Sequence, residues 1–203
     1  MANRSIVWVK EGGRGAEFAH VIVGRGRLTA TGTAFGLEPL PYRLEYKLET
    51  LASFITSGIL VEATGQDWSR RLDLRRLWSG KWTARTRARG AVDLPEPGGD
   101  LTGLNKTALD CDLAWSPLTN TMPVLRHGLL AGGGPIDFVM AWVSVPDLSV
   151  HASRQRYTFV RREGANSIVR YESASRDFVA ELVFDPDGLV ISYPGIGQTP
   201  QPR

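Results

Sequence analysis

Two aspartates, Asp110 and Asp112, are the carboxylates whose spacing could support chemistry. They stand two residues apart in LDCDLAW (109–115), which alternates like a strand, so both side chains share one face. Neighbouring carboxylates can differ in pKa and divide acid–base work between them. Such a pair is more often a solvated outer face, and we favour that interpretation. Cys111 then lies on the opposite, apolar face as a small buried residue without reactivity.

A second polar group follows in SPLTNTMPVLRHG (116–128), which contains Asn120, Arg126 and His127 between and after two prolines. An asparagine amide donates and accepts hydrogen bonds at once, and arginine can hold a phosphate or carboxylate through two parallel bonds. These groups suit a sugar or an anionic head group. Asn and Thr side chains also commonly fix the backbone of a loop. Both interpretations stay open for this segment.

Metal and cofactor chemistry finds little support in the chain. The three histidines, at positions 20, 127 and 151, are far apart and form no H-x-x-x-H or H-E-x-x-H motif. The single cysteine excludes an intramolecular disulfide and a cysteine-based zinc site. No G-x-S-x-G elbow or G-x-G-x-x-G loop occurs. We therefore expect no catalytic residue of those classes, no metal and no cofactor.

Composition describes an ordinary globular chain of 203 residues, with 42% hydrophobic residues, 22% charged residues and a net charge of +3. The N-terminus lacks the apolar region of a secretory signal, and no run of 18 apolar residues occurs. We expect a cytoplasmic protein without a membrane span. Its partners are then small molecules, other proteins or, transiently, a membrane surface. The sequence leaves the oligomeric state open.

Basic residues concentrate in WSRRLDLRRLWSGKWTARTRARG (68–90). Arginine beside tryptophan can indicate nucleic acid, through phosphate contacts and base stacking. However, Leu72 and Leu74 alternate with Arg71 and Arg75, as in a half-buried strand. No recognised nucleic-acid module accompanies the arginines. We favour a hairpin with a solvated arginine face and expect no specific nucleic-acid partner.

Period-two patterning recurs along the chain and predicts an all-β, mainly antiparallel fold of about a dozen short strands. YRLEYKLE (42–49) and FVAELVF (178–184) show it most clearly, and DPDG (185–188) predicts a turn. The only helical candidate is 117–127, which Pro123 should limit to one or two short turns. We predict a single domain over residues 1–195 and a frayed tail over 196–203.

One predicted strand, IDFVMAWVSV (136–145), is apolar on both faces. A strand with one face in water would alternate instead. We therefore expect both faces to be covered, one of them by the 117–127 segment packed over the inner face of a curved sheet. Trp142 should then be important for stability.

The second half of the chain resembles the bacterial "Putative glycolipid-binding" family, which is described as a spiral β-roll. The resemblance rests on four stretches in matching order and spacing: LDCDLAWSPLTNTMPVLRHGL (109–129), AWVSVPDLSV (141–150), QRYTFV (155–160) and FVAELVFDPDGLVISYPG (178–195). YRLEYKLET, LDLRRL and GKW agree more weakly in the first half. Ala52–Phe54 and Pro194–Ile196 depart from the pattern and could alter one wall of a pocket.

The resemblance implies a long antiparallel sheet coiled into a half-open roll, similar to carriers that hold acyl chains on a concave apolar face. We therefore favour a non-catalytic protein that holds a glycolipid or lipid-like ligand, with the polar head near 117–127. The candidate ligand-binding residues are Trp115, Asn120, Arg126, Trp142, Gln155 and Tyr157. One alternative is an enzyme acting on a sugar or lipid, in which Asp110 or Asp112 works with His127 or Arg126. Another is a structural or regulatory module without a small ligand.

Overall fold

The computed structural model describes residues 1–104, 107–174 and 177–200. Strands account for 57% of the protein and helix for 8%, which confirms the predicted all-β class with little helix. The strands are β1 (Ala2–Lys10), β2 (Gly15–Gly24), β3 (Arg27–Gly36), β4 (Tyr42–Thr50), β5 (Thr56–Thr64), β6 (Ser69–Arg76), β7 (Trp82–Arg89), β8 (Asp110–Leu113), β9 (Ile136–Val143), β10 (Val150–Glu163), β11 (Asn166–Ser173), β12 (Phe178–Phe184), β13 (Val190–Tyr193) and β14 (Gly197–Gln198). The only α-helix among the described residues is α1 (Thr121–Arg126), and 3-10 turns span Glu11–Gly13, Ala52–Phe54 and Leu118–Asn120.

All the described strands belong to one sheet in the order β7-β6-β5-β4-β3-β2-β1-β14-β13-β12-β11-β10-β9-β8. Neighbours are antiparallel except β8 and β9, which are parallel. The sheet is not closed, as the half-open roll requires. The segment before β8 nevertheless crosses to the other half, because Ala108 O accepts hydrogen bonds from Trp82 Nε1 and Arg76 Nε, both at 3.0 Å. The long sheet therefore curls until its two ends approach each other.

The alternation read from the sequence decides which face of each strand enters the core. On β4, Tyr42, Leu44, Tyr46 and Leu48 are buried while the intervening charged side chains face solvent. On β6, Leu72 and Leu74 are fully buried, and β6 pairs with β7 as an antiparallel hairpin. The arginine-rich stretch is thus the hairpin that the sequence predicted.

Buried apolar residues form two clusters. The larger contains the inward residues of β1–β6 together with Cys111, Leu118 and Met122. The smaller contains Val124 from α1, Met140 from β9 and the inward residues of β10–β13. The helical segment therefore lies between the two halves of the roll and contributes side chains to both clusters.

The 117–127 segment consists of a 3-10 turn and α1, which confirms the prediction of one or two short helical turns. Pro123 lies in the first turn of α1, where its missing N–H removes no intrahelical bond. Strand β9 meets both clusters, with Met140 in one and Ala141 and Val143 in the other. The C-terminal half of β9 is buried on both faces, whereas Ile136, Phe138 and Val139 are only half-buried. The 117–127 segment contacts this strand through Arg126 and His127, which pack against Phe138.

The C-terminal segment contributes one short strand to the sheet, and the frayed tail over 196–203 stays a prediction. Gly197 and Gln198 form β14, which pairs with β1 on one side and β13 on the other and so joins the two halves of the sheet. The approach is close, because a Cβ on Gly197 would lie 2.7 Å from Val9 O. Gly197 and Gln198 are therefore part of the sheet, and residues 201–203 lie outside the described range. The single-domain organisation stays a prediction.

Candidate functional site

Asp110 is buried rather than solvated, so the expectation of an exposed carboxylate face was wrong. Its side chain is 1% exposed and forms a bidentate ion pair with Arg126, whose Nη1 donates to Asp110 Oδ1 at 2.8 Å and whose Nη2 donates to Oδ2. Burial raises the pKa of Asp110, and the hydrogen bonds and charge of Arg126 oppose that shift. The guanidinium that was predicted to meet a ligand is paired inside the protein.

Asp112 is also buried, and it anchors a network of side chains. Thr119 Oγ1 donates to Asp112 Oδ1 at 2.9 Å, and Gln155 Nε2 donates to Oδ2 at 2.6 Å. The Tyr157 hydroxyl lies 3.2 Å from Gln155 Oε1 and 2.8 Å from Asn120 Oδ1. Asn120 Nδ2 in turn donates to Pro117 O at 3.2 Å. Carboxylate, amide and hydroxyl groups are thus satisfied by one another.

The structure therefore brings Asn120, Gln155 and Tyr157 together, but as a buried network under the helical segment. These three residues are 2%, 2% and 0% exposed. Such networks hold irregular segments in place, since each buried polar group needs a partner. The structural interpretation of Asn120, which the sequence left open, agrees with this geometry. Ligand binding by these three residues and Arg126 stays a prediction.

His127 lies apart from the network, on the exposed side of the helical segment. Its ring packs 5.1 Å from the ring of Phe138, and burial together with the neighbouring Arg126 charge lowers its pKa. His127 and Phe138 line an open cleft of about 710 Å³ that is bordered by charged residues such as Arg156 and Glu172. Arg156 is already paired with Asp137, so much of this charge is compensated.

Trp115 and Trp142 meet at a separate cavity of about 360 Å³. Most of its lining is apolar or aromatic: Ala114, Trp115, Trp142, Val145, Phe178, Tyr193 and Ile196, with Ser144 and Gly195. The sequence pattern predicted that a strand extends to Trp115, but Trp115 belongs to the turn after β8. Its φ is 63° and it is 36% exposed. A positive φ is strained for a tryptophan and often marks a functional position. Gly195 and Ile196 belong to the stretch that departs from the family pattern.

A small recess of about 20 Å³ adjoins this cavity and shares Trp115, Gly195 and Ile196 with it. Its other lining residues include Lys10 and Tyr42, which come from β1 and β4. Lys10 is only 6% exposed, and its Nζ lies 5.9 Å from the centre of the Tyr42 ring. Burial lowers the pKa of Lys10, and the charge of Glu17 opposes the shift.

Glu17 on β2 is a buried carboxylate whose charge interacts with that of Lys10, and the sequence reasoning missed it. Its Oε1 accepts hydrogen bonds from the Tyr46 hydroxyl at 2.6 Å and from Ser116 Oγ at 2.7 Å. Burial raises the pKa of Glu17, against the effect of these hydrogen bonds and of Lys10. Burial also raises the pKa of Tyr42 to about 12. A signal did exist, because Glu17 occupies an inward position of β2 together with Ala19 and Val21.

Among residues 1–104, 107–174 and 177–200, no three His, Cys, Asp or Glu side chains come together as a metal site would require. Within the same ranges, no helix combines the length and apolar character needed to cross a membrane.

The protein is therefore a half-open β-roll with a mostly apolar cavity between Trp115 and Trp142. The chain belongs to the family described as "Putative glycolipid-binding", which matches residues 5–199. A similar solved structure is a DUF1089 family protein from Pseudomonas aeruginosa, with a TM-score of 0.65 and 28% sequence identity. That likeness covers 90% of this chain and 91% of the other. No curated protein matches the sequence.

Proposed function

We propose that this protein binds an amphipathic ligand, a glycolipid or a lipid-like molecule, without catalysing a reaction on it. The apolar chain of the ligand would occupy the aromatic cavity lined by Trp115, Trp142, Phe178 and Tyr193. That cavity is the observation that carries the proposal. It is concave and mostly apolar, and its volume falls in the usual range for small-molecule sites, about 300–1,000 Å³.

The energetics of such binding follow from burial of the ligand's chain. Each buried methylene contributes about 0.8 kcal/mol, so a chain of about ten would contribute roughly 8 kcal/mol. Association and ordering offset part of this gain. Aromatic walls reduce the ordering term, because their side chains have few rotatable bonds to immobilise. Micromolar binding is within reach of a cavity with these walls.

The geometry does not favour the enzyme that the sequence left open. Asp110 is ion-paired with Arg126, and both Asp112 oxygens accept hydrogen bonds from side chains. A general acid or base needs hydrogen-bond reach to a substrate proton. Neither carboxylate is available for that task, because each is buried and bonded to the protein. The non-catalytic function therefore has the stronger support.

Native mass spectrometry and a binding titration test the proposal together. Purified protein should carry lipid-like adducts, and dodecyl β-glucoside below its micellar concentration should change the tryptophan fluorescence. Trp142→Ala should weaken glucoside binding at least fivefold, because it removes one wall of the cavity. Trp78→Ala is the matched control, since Trp78 lies in the β6–β7 turn and is 91% exposed. Equal affinity in both variants would exclude the cavity as the site.

Transient contact with a membrane surface is a second part of the proposal. Val9, Phe18 and Phe35 are 47%, 48% and 55% exposed on the outer face of β1–β3. They lie beside Leu37, which is 56% exposed and lines the small recess. Exposed apolar residues in one patch commonly mark an interaction surface. A lipid taken from a membrane would thus enter close to its binding cavity.

Flotation with phosphatidylcholine vesicles tests this contact. Wild-type protein should float in part with the vesicles, and Phe18→Ser/Phe35→Ser should float at least threefold less. If wild-type protein does not float with the vesicles, the proposed membrane contact is wrong. Cytoplasmic location stays part of the proposal as well, supported by a single free, buried cysteine. Cell fractionation would decide it.

A further inference from the structure

Positive charge is concentrated on one hairpin of the protein. Residues 68–90, which contain β6, β7 and the turn between them, include eight basic residues and one acidic residue, a net charge of +7. The whole chain carries only +3, so the other 180 residues together carry −4. Such an asymmetry directs one face of a protein toward a partner of complementary charge. We call β6, the turn and β7 the basic hairpin.

Three arginines of the basic hairpin have no partner in the part of the chain that the structure describes. Arg85, Arg87 and Arg89 alternate along β7, so their side chains share one face, and all three are exposed. Their guanidinium groups form neither a hydrogen bond nor an ion pair with any described residue. They line an open depression of about 470 Å³. Three cations are thus available to an external anion.

The outward arginines of β6 differ from those of β7, because carboxylates compensate them. Arg71 Nη1 donates to Glu62 Oε2 at 2.7 Å, and Arg75 Nε donates to Asp73 Oδ1 at 2.5 Å. The uncompensated charge therefore lies along β7. This strand is at the edge of the sheet and pairs with β6 alone among the described strands, so one side of it is open to a partner.

The turn of the basic hairpin presents two large apolar side chains to solvent. Leu77 is 45% exposed and Trp78 is 91% exposed. Backbone hydrogen bonds from Leu77 N to Lys81 O and from Gly80 N to Leu77 O, both 2.8 Å long, close the turn and hold the two side chains at its tip. Tryptophan is enriched where membrane meets water, because its ring is apolar and its N–H finds polar partners there.

Protection of the sheet edge accounts for only part of this pattern. Charged side chains on an edge strand prevent it from pairing with another chain, and the arginines of β7 serve that purpose. An exposed leucine and tryptophan beside them do the opposite, because apolar surface promotes association. Free cations next to an apolar tip instead complement a surface that is anionic outside and apolar beneath.

We propose that the basic hairpin docks this protein on an anionic membrane. Leu77 and Trp78 enter the interface, and Arg85, Arg87 and Arg89 bind lipid phosphates, which guanidinium groups hold through two parallel hydrogen bonds. This inference rests on the proposed function, because a lipid binder takes up its ligand at a membrane. It adds the charge of that membrane and a second contact surface, separate from Val9, Phe18 and Phe35.

A bilayer fits the hairpin better than a nucleic acid does, although both offer phosphates. Bases stack on aromatic rings, so a nucleic acid would use Trp78 but not Leu77. The interface of a bilayer accepts both side chains. The exposed pair at the tip therefore favours a membrane as the partner.

Vesicle flotation tests the docking surface, with vesicles of phosphatidylcholine alone and of phosphatidylcholine with phosphatidylglycerol. Wild-type protein should bind the anionic vesicles at least tenfold more tightly than the neutral ones. The Debye length falls from about 10 Å at 0.1 M salt to about 3 Å at 1 M. The preference for anionic vesicles should therefore disappear at the higher salt concentration. A preference that persists there would contradict binding through the arginines.

Two variants separate the arginines from the tip. Arg85→Gln/Arg87→Gln/Arg89→Gln should weaken binding to anionic vesicles at least tenfold, since each basic residue near an anionic surface contributes measurably to affinity. Binding to neutral vesicles should not change. Trp78→Ser should weaken binding to anionic vesicles at least threefold, and an unchanged affinity would remove the tip from the proposal.

A matched control removes the same charge from elsewhere on the surface. Arg25, Arg27 and Arg154 are exposed and have no ion pair with any residue that the structure describes. Arg25→Gln/Arg27→Gln/Arg154→Gln should weaken binding to anionic vesicles less than threefold. If both triple variants lose the same affinity, net charge alone attracts the protein and the docking surface is wrong.

The remaining outcomes separate this inference from the proposed function. If wild-type protein does not distinguish anionic from neutral vesicles, the inference is overturned. Binding of dodecyl β-glucoside that depends on Trp142 still supports the proposed function in that case. If single-stranded oligouridine binds more tightly than anionic vesicles and the β7 triple variant abolishes that binding, the partner is a nucleic acid and the membrane docking is overturned.

Discussion

Replacing Asn120 with alanine should destabilise the fold rather than remove a ligand contact. Asn120 is 2% exposed and makes two hydrogen bonds, one from its amide to Pro117 O at 3.2 Å and one to its carbonyl from the Tyr157 hydroxyl at 2.8 Å. Alanine removes both. The Tyr157 hydroxyl keeps Gln155 Oε1 at 3.2 Å as an alternative acceptor, so its loss is partial.

The expected magnitude follows from these partners. Each hydrogen bond contributes a net of about 0.5–1.5 kcal/mol, and leaving Pro117 O without the amide adds a desolvation term. We therefore expect the free energy of unfolding to fall by about 2 kcal/mol. For a chain of 150–250 residues, each kcal/mol shifts Tm by about 2–4 °C. Asn120→Ala should accordingly melt about 4–8 °C below wild type.

Urea and thermal denaturation would measure this loss, with Asn3→Ala as the control. Asn3 is exposed on β1, so its replacement should change stability by less than about 0.5 kcal/mol. Binding of dodecyl β-glucoside per folded molecule should be the same in wild type and in Asn120→Ala. If Asn120→Ala unfolds like wild type but binds the glucoside weakly, Asn120 is a head-group ligand and the structural reasoning is refuted.

Three further predictions follow from the buried groups. Arg126→Met should reduce the free energy of unfolding by about 3–5 kcal/mol, because it leaves Asp110 as a buried, unpaired carboxylate. The double variant Arg126→Met/Asp110→Leu should recover part of that loss in urea denaturation. No recovery would contradict the pairing argument. Trp142→Ala should reduce the free energy of unfolding by about 2 kcal/mol in the same assay. This is less than the roughly 3–5 kcal/mol of a fully buried tryptophan, because Trp142 is only half-buried at the cavity. A loss above about 4 kcal/mol would show that Trp142 belongs to the core instead. Folding raises the pKa of Glu17 above its ordinary 4.5, so the folded state holds a proton that the unfolded chain releases, and the contribution of Glu17 to stability falls as pH rises above 4.5. The free energy of unfolding of Glu17→Gln, measured from pH 4.5 to 7, should fall less steeply with pH than that of wild type, and parallel curves would show that the Glu17 pKa is not raised.

The strands themselves could be predicted from the sequence. FVAELVF was expected as a strand over 178–184 and forms β12 over the same residues, and YRLEYKLE forms most of β4. The helical segment at 117–127 was also identified, with its short length. These features are local, because alternation of apolar and polar residues and the placement of prolines act within a few residues.

Only the tertiary structure decided what each face of a strand meets. The alternation correctly predicted that Asp110 and Asp112 share one face. It did not predict that this face is buried against Arg126 and Gln155. Likewise, Glu17 and Ser116 are 99 residues apart and meet only because the sheet curls. The two-residue repeat of a β-strand determines which side chains share a face, because it is a property of the strand itself. Whether that side becomes solvent surface, core or cavity depends on the curvature of the whole sheet and on the segments that cross it, and no short stretch of residues specifies these.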